Sequence, residues 1–328
     1  MLSSRYSEKN RRWILIALLF CAAAFTLFYF VRQPKKEVDV IYVCKTEISS
    51  NDFWSSILSG AEMAAKDNQV NLKILCPPDE LHTQVQNEMI YESVSQKPDV
   101  IVVSVASRND NTEALRAIRD AGIGLIIIDS KADEDLQNCV VTTDNIAAGR
   151  KMAEPMLEKL TKDSKIAIVA HVKEASTCVE RIEGLMEGLG QYSDQVVEVV
   201  YSNAMADTAY EITLDLLKRE PDITFLACTN EDSAVGAARA VVELGLSDKI
   251  TMVGFDSSTE EVERLEEGVL DAIVVQKAFS MGYFGIESAA RLARKEPIES
   301  YIDSGSVLIT RENMYQEENQ EVLFPFHN

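Results

Sequence analysis

The sequence predicts an α/β protein with two doubly wound parallel-sheet lobes joined by a three-crossing hinge and preceded by one transmembrane helix. From residue 38 onward, β-branched apolar runs alternate with segments of helical spacing, which is the pattern of parallel sheets covered on both faces. Runs such as 100–105 are apolar without interruption, as in strands buried on both faces. The alternation restarts near Thr143, which divides it into two lobes.

The predicted elements follow one another in a regular order. In the first lobe, strands at 38–44, 72–76, 100–105, 124–129 and 139–143 alternate with helices at 53–68, 81–95 and 112–121. In the second, strands at 165–170, 196–201, 223–228, 250–255 and 272–275 alternate with helices at 144–160, 180–189, 208–218 and 234–244. Asp144 is suited to cap the helix that it begins.

An uncharged run of 19 residues, 13–31, lies near the start of the chain. As a helix it would be about 28 Å long, close to the thickness of a bilayer core. Basic residues directly precede it, as in an export signal. We therefore predict a protein of the cell membrane with a cytoplasmic segment 1–12, a single-pass anchor 13–31, a linker 32–37 and an extracytoplasmic C-terminal domain. Two alternatives remain open: cleavage near Ala22-Ala23-Ala24, and lipidation of Cys21, although Phe20 is bulkier than that motif requires.

Composition excludes some classes of partner. The 53 acidic and 32 basic residues give a net charge of −21, which repels nucleic-acid phosphates. Five of the six cysteines lie outside the apolar run without C-x-x-C spacing, so no zinc site is indicated. We expect them to be free, buried thiols.

Polar and aromatic residues follow the predicted strands, where ligands of open parallel sheets bind. Asn51, Asp52, Phe53 and Trp54 follow the first strand; Ser104, Asp129, Asn230, Asp256 and Gln276 follow five others. Carboxylates and amides can hydrogen-bond sugar hydroxyls, and aromatic rings stack on sugar C–H faces. Each has a simpler reading: the aspartates as helix caps, the aromatics as core contacts, Asn230 as a turn residue. No phosphate-binding glycine motif is present, and we predict no cofactor or metal.

These residues resemble the type I periplasmic sugar-binding family, which includes ribose- and galactose-binding proteins and related sensors. The pieces that carry the resemblance are Asn51-Asp52-Phe53-Trp54 with Ser59-Gly60-Ala61, Ile127-Ile128-Asp129, Thr143-Asp144-Asn145 with Gly149, Cys228-Thr229-Asn230-Glu231-Asp232 with Ala234, Gly236 and Ala237, Val253-Gly254-Phe255-Asp256, and Val274-Val275-Gln276. They cover about residues 38–310. The same superfamily includes the ligand domains of repressors, but an export segment fits a repressor badly.

The resemblance implies the division of the domain and the roles of its residues. One lobe would comprise 38–143 plus 277–303, and the other 144–276 plus 304–315. Beyond the part that the resemblance covers, residues 316–328 with their apolar end Leu323-Phe324-Pro325-Phe326 are a tail, either a strap over the lobe or a docking strip. Phe53 and Trp54 would flank a sugar ring, and Asp129, Asn230, Asp256 and Gln276 would bind its hydroxyls.

The sequence departs from the family at two positions where arginine is common. Ser130 follows Asp129, and Val179 stands two residues before Arg181. We therefore expect a less cationic pocket. A cyclic aldose is the first candidate ligand, and another polyol, a sugar derivative or a signalling furanose are the alternatives.

The predicted function is capture of a small sugar-like ligand and its presentation to a membrane partner, either an ABC importer or a sensor histidine kinase. An enzyme is the alternative, since Asp129 and Asp256 could form a glycosidase-like pair. No apolar setting that would raise one carboxyl pKa is evident in the sequence. None of the three histidines lies in a catalytic motif.

Overall fold

The computed structural model describes residues 38–46 and 52–324, together with Trp13 and Leu18. The predicted cytoplasmic segment, the rest of the anchor, the linker and Asn51 lie outside these residues. Among the described residues, no helix combines the length and the apolar character needed to cross a membrane.

The first lobe is built on a six-stranded parallel sheet. Its strands are β1 (Val38–Val43), β2 (Val70–Leu75), β3 (Val100–Val103), β4 (Gly124–Ile128), β5 (Cys139–Thr142) and β11 (Tyr301–Asp303), in the order β11-β5-β4-β3-β1-β2. The helices of this lobe are α1 (Asp52–Asn68), α2 (Thr83–Gln96), α3 (Thr112–Asp120) and α9 (Ala278–Ala293). Apolar clusters cover both faces of the sheet.

The second lobe repeats this arrangement. Its strands are β6 (Ile166–Ala170), β7 (Val196–Tyr201), β8 (Phe225–Cys228), β9 (Thr251–Phe255), β10 (Ala272–Gln276) and β12 (Ser306–Thr310), in the order β12-β10-β9-β8-β6-β7, with β12 antiparallel. Its helices are α4 (Asn145–Leu157), α5 (Ser176–Leu189), α6 (Ala206–Arg219), α7 (Glu231–Glu243) and α8 (Thr259–Glu267), and a 3₁₀ helix spans Gly190–Gln195. The prediction of two α/β lobes with parallel sheets is confirmed.

The chain passes between the two sheets three times within the described residues: after β5, after β10, and between β11 and β12. At the first passage the side chain of Asp144 accepts a hydrogen bond from the Ala147 backbone N–H at 2.9 Å, which confirms the predicted cap of α4.

Two glycines set the distance between α1 and α9. A Cβ on Gly60 would lie 2.0 Å from the carbonyl oxygen of Phe279, and one on Gly282 would lie 1.9 Å from that of Ile57. Only glycine allows the two backbones to approach this closely. The contact fixes α1, whose first turn carries Phe53 and Trp54, against the helix that follows β10.

The cysteine prediction is wrong for one pair. Cys139, Cys178 and Cys228 are buried and free, but Cys44 and Cys76 form a disulfide with their Cα atoms 5.0 Å apart. Strands β1 and β2 are in register with Val43 opposite Leu75, so the next residue of each strand is a cysteine facing its partner. Strand register cannot be inferred from either strand alone, which is why the pairing was missed.

The tail contains a short helix, α10 (Glu317–Leu323). Leu323 is buried in the core of the second lobe, and Val322 and Phe324 pack against that core. This part of the tail is therefore a strap over the lobe, while residues 325–328 lie outside the described part.

Candidate ligand-binding site

Each sheet has a topological switch point at its first strand, where the chain connections leave in opposite directions. Strand β1 lies between β2 and β3, and β6 lies between β7 and β8. In open α/β sheets, ligands bind beyond the carboxyl ends of the strands at such points. A small cavity lies there, lined by Lys45, Phe53, Trp54, Glu80, Asp129, His171, Thr177, Arg181, Asn230, Asp256 and Gln276. Both lobes contribute to its wall.

Six of the nine residues predicted at strand ends line this one cavity: Phe53, Trp54, Asp129, Asn230, Asp256 and Gln276. Ser104 does not line it. Its side chain is fully buried at the end of β3, where its hydroxyl and that of Tyr42 share a hydrogen bond of 2.8 Å. Ser104 therefore belongs to the interior of the first lobe.

The two aspartates occupy equivalent places in the two lobes. Asp129 follows β4 with φ +69°, and Asp256 follows β9 with φ +84°. Residues with a side chain rarely adopt this left-handed region, although Asp does so more readily than most. Strained backbone of this kind clusters at ligand sites. The simple helix-cap reading of Asp256 does not hold, because Ser258 caps α8.

Asp256 is the centre of a polar group in the second lobe. It accepts hydrogen bonds from Gln276 Nε2 at 2.7 Å and from the Glu231 backbone N–H at 3.3 Å. Its burial raises the pKa of its carboxyl, and the Arg181 guanidinium opposes that shift. The other amide atom of Gln276, Oε1, is buried and has no hydrogen-bond partner among the described residues. A hydroxyl donor would satisfy it.

The expectation of a less cationic pocket is wrong, because two cations line the cavity. Lys45 is buried, and its ammonium donates to Asp129 Oδ2 at 3.2 Å and to Ser130 Oγ at 2.5 Å. Glu80 lies 3.7 Å from the same ammonium. Lys45, which follows β1, thus brings a positive charge next to Ser130, the position where the family commonly has arginine. Its position directly beyond β1 was a usable signal in the sequence.

The second cation, Arg181, is also buried. Its guanidinium lies 3.7 Å from the centroid of the Phe255 ring and donates to Asn145 Oδ1 and to the Thr229 carbonyl. It thereby ties the start of α4 to the end of β8. These neighbours come from distant parts of the sequence and Arg181 does not follow a strand, so the rule of strand ends does not identify it; the available signal was its place two residues beyond Val179, where arginine is common in the family.

His171 follows β6 and was also missed, although the rule of strand ends applies to it. Its ring nitrogens lie 2.7 Å from Thr229 Oγ1 and 3.0 Å from Thr177 Oγ1. Burial, together with the positive charges of Arg181 and Lys45, holds its pKa well below the usual value. His171 is therefore a neutral hydrogen-bonding group in the wall.

Asn230 has two roles. Its side-chain oxygen accepts a hydrogen bond from the Ser233 backbone N–H at 3.1 Å and so caps α7, while its side chain also lines the cavity. Replacing it by alanine would therefore remove a helix cap, which typically costs about 1 kcal/mol of stability.

The aromatic pair lies in the first turn of α1. The rings of Phe53 and Trp54 pack edge to face, with centroids 5.2 Å apart. Trp54 is almost fully buried and Phe53 is partly exposed. Such rings offer an apolar surface to one face of a sugar ring.

A larger cavity of about 630 Å³ lies next to the first and shares Phe53, Asp256 and Gln276 with it. The starts of α1 and α9 and the tail helix α10 form most of its remaining wall. We identify the smaller cavity as the candidate site because the residues beyond the switch-point strands of both lobes converge there.

Comparison with known proteins agrees with this geometry. Residues 42–297 match the periplasmic binding protein domain family. The D-allose-binding periplasmic protein of Escherichia coli (strain K12) is 29% identical over 258 residues, covering 75% of this chain and 82% of that protein. The crystal structure of a sugar transporter from Clostridium phytofermentans is 39% identical, with a TM-score of 0.79 over 84% of this chain and 99% of its own. An ABC transporter solute-binding protein from Agrobacterium vitis, solved with bound D-fucose, is 29% identical, with a TM-score of 0.83 over 87% and 99% of the two chains.

Proposed function

Since this chain belongs to the periplasmic binding protein domain family, we propose that it captures a small neutral sugar between its lobes and presents it to a membrane partner. The observation that carries the proposal is the cavity in which Phe53, Trp54 and Asp129 from one lobe meet Asn230 and Asp256 from the other. Carboxylate, amide and aromatic groups together match the hydroxyls and the apolar face of a sugar ring.

The balance of charge in the wall favours a neutral ligand. Lys45 is paired with Asp129, and Arg181 lies close enough to Asp256 to influence the pKa of its carboxyl. Glu80 adds one further carboxylate near Lys45. An anionic ligand would have to displace one of these carboxylates from its cation, at the cost of leaving a buried charge unpaired.

Binding without turnover is the simpler activity for this carboxylate pair. The expectation that no setting would raise a carboxyl pKa was wrong, because burial does so for Asp256. Both aspartates are nevertheless already engaged, Asp129 with Lys45 and Ser130, and Asp256 with Gln276. Hydrogen-bonding groups held by such contacts are suited to orient hydroxyls.

Capture would proceed by hinge motion. Neither lobe carries a complete set of partners, and three chain passages join them, so a ligand that touches both lobes favours the form in which they meet. A partner protein would recognise that form. An ABC importer is the partner favoured by the similar proteins, one of which is an ABC transporter solute-binding protein. A sensor is favoured by the bulky Phe20 before Cys21, because this residue argues against a lipidated cysteine, and importer-associated binding proteins of single-membrane bacteria are usually lipoproteins.

Sugar binding and closure are tested together on the full chain carrying Trp13→Phe, in which Trp54 is the only tryptophan. Titration with D-allose, D-ribose and D-fucose should give a saturable change of Trp54 fluorescence with at least one of them, because Trp54 lines the cavity. The sugar should be recovered unchanged. A Trp54→Phe control should give no signal. No change with any of the three, or conversion of the sugar into product, would refute the proposal.

The location outside the cytoplasm is supported by the Cys44–Cys76 disulfide, since such bonds persist in oxidising compartments. We propose that residues 13–31 remain as the anchor. Mass spectrometry of the protein purified from membranes should find the first residues intact. A mature chain that begins at or beyond Phe25, or a lipid on Cys21, would contradict the anchor.

A further inference from the structure

The two lobes exchange acidic caps at the starts of two helices. Glu231, the first residue of α7 in the second lobe, accepts hydrogen bonds from the backbone N–H groups of Asp52 and Phe53 in α1, both at 3.1 Å. In return, Asp52 Oδ2 accepts from the backbone N–H of Thr259 at the start of α8, also at 3.1 Å. Each carboxylate thus satisfies amide groups that its partner helix cannot satisfy within itself.

This exchange lies directly behind the candidate site. Phe53, whose amide Glu231 accepts, lines the cavity from the first lobe. The backbone N–H of Glu231 donates to Asp256 Oδ2, which lines the cavity from the second. One residue therefore contacts a wall residue of each lobe, and its contacts to α1 exist only when the lobes meet.

We propose that Glu231 is a positioning residue for capture: it holds Phe53 against the ligand in the closed form, and it makes closure favoured by mild acid. The ligand in this inference is the sugar of the proposed function, whereas the contacts of Glu231 with α1 and Asp256 do not depend on that function. Glu231 itself need not touch the sugar.

The acid dependence follows from where Glu231 lies. It is only 6% exposed, and burial, with Asp256 as the second cause and Asp232 as a smaller one, raises the pKa of its carboxyl to about 8, although the amides of Asp52 and Phe53 oppose the shift. The fully buried Glu261 of α8 also interacts with it. The titratable groups that interact with Glu231 are thus acidic and belong to the second lobe: Asp256 beyond β9, Glu261 on α8 and Asp232 on α7. Helix α1 contributes the backbone amides of Asp52 and Phe53.

The sign of the effect is set by the open form. When the lobes separate, Glu231 loses the burial that α1 provides, and burial is the largest cause of the raised pKa. Its pKa therefore falls toward the ordinary value of about 4.3, although Asp256, Asp232 and Glu261 stay beside it in the second lobe and the lost α1 amides act in the opposite direction. Closure therefore takes up a proton at any pH between the two values. Apparent ligand affinity should rise as pH falls from 8 toward 5, by up to about tenfold per pH unit for one proton.

Two substitutions separate positioning from mere packing. Calorimetry with D-allose on the full chain, from pH 5 to 9, should show the slope in the wild type. Glu231→Gln carries no charge, like the protonated acid, and keeps one of the two oxygens that accept from the Asp52 and Phe53 amides. It should bind with nearly constant affinity, within a few-fold of the wild-type value at low pH. Glu231→Ala should also lose the slope and should bind roughly tenfold more weakly than Glu231→Gln at every pH, because it offers no acceptor to the amides of α1. Glu211→Gln, an exposed change on α6, is the matched control and should keep the wild-type slope.

If the affinity of Glu231→Gln for D-allose varied with pH in parallel with that of the wild type, the inference would be overturned. If D-allose, D-ribose and D-fucose all fail to bind, the proposed function fails, and closure is then followed without ligand. Trp54 fluorescence of the full chain with Trp13→Phe should change between pH 9 and pH 5 with Glu231 present and stay constant in Glu231→Gln. An identical response in both would again reject the role of Glu231.

Discussion

Replacing Cys44 and Cys76 together by alanine is expected to lower the free energy of unfolding by about 3–4 kcal/mol. The bond joins residues 32 apart in the sequence, and closing a loop of this length restricts the unfolded chain by roughly that amount. The loss should be felt near the site, because Lys45 directly follows Cys44, whose carbonyl accepts a hydrogen bond of 2.8 Å from Gln86 Nε2. Urea unfolding of the two proteins measures the difference.

A reducing agent provides the control for this prediction. Reduction should destabilise the wild type to the level of the double variant and leave the double variant unchanged. The free thiols of Cys139, Cys178 and Cys228 are present in both proteins, so any effect through them would appear in both. Equal stability of the oxidised wild type and the variant would show that the cross-link does not stabilise the native lobe.

The fold could be predicted because its pattern is local. A strand buried on both faces appears as a continuous apolar run, and β3 and β6 are fully buried along their lengths. The disulfide and the short helix α10 depend instead on contacts between distant segments. The pairing of Cys44 with Cys76 follows from the register of β1 and β2, and α10 is held by burial of Leu323 in the second lobe.

The site was predictable to the extent that topology brings strand ends together. That Asp129 and Asp256 would line one cavity could be predicted because each follows a clear apolar strand. Lys45 and His171 satisfy the same rule and were overlooked, whereas Arg181 lies on α5 and reaches the cavity only through tertiary packing. Ser104 is the opposite case: it follows a strand, but its hydroxyl is hydrogen-bonded to that of Tyr42 in the interior of the first lobe and does not line the cavity.

Asp256→Ala is expected to weaken sugar binding by about 3 kcal/mol, or roughly a hundredfold. The change removes the proposed acceptor for a sugar hydroxyl. It also removes the acceptor of Gln276 Nε2 and of the Glu231 amide, and it deprives Arg181 of a nearby opposite charge. Removing one member of a buried charged group costs more than losing a neutral hydrogen bond, because the remaining partners stay desolvated. Calorimetry with the sugar that binds the wild type measures the loss.

Asp256→Asn separates the loss of the carboxylate from the effect of a substitution on the left-handed backbone conformation. Asn tolerates the left-handed conformation that residue 256 adopts, with φ +84°, whereas Ala does not, and its amide oxygen can still accept from Gln276. We therefore expect Asp256→Asn to fold with near wild-type stability and to bind about tenfold more weakly, because the charge and the acceptor for the Glu231 backbone N–H are lost while the bond from Gln276 is kept. Asp163→Ala, at an exposed turn, should bind like the wild type. If Asp256→Asn and Asp256→Ala both kept wild-type affinity, the sugar would have to bind away from Asp256, which lines both cavities.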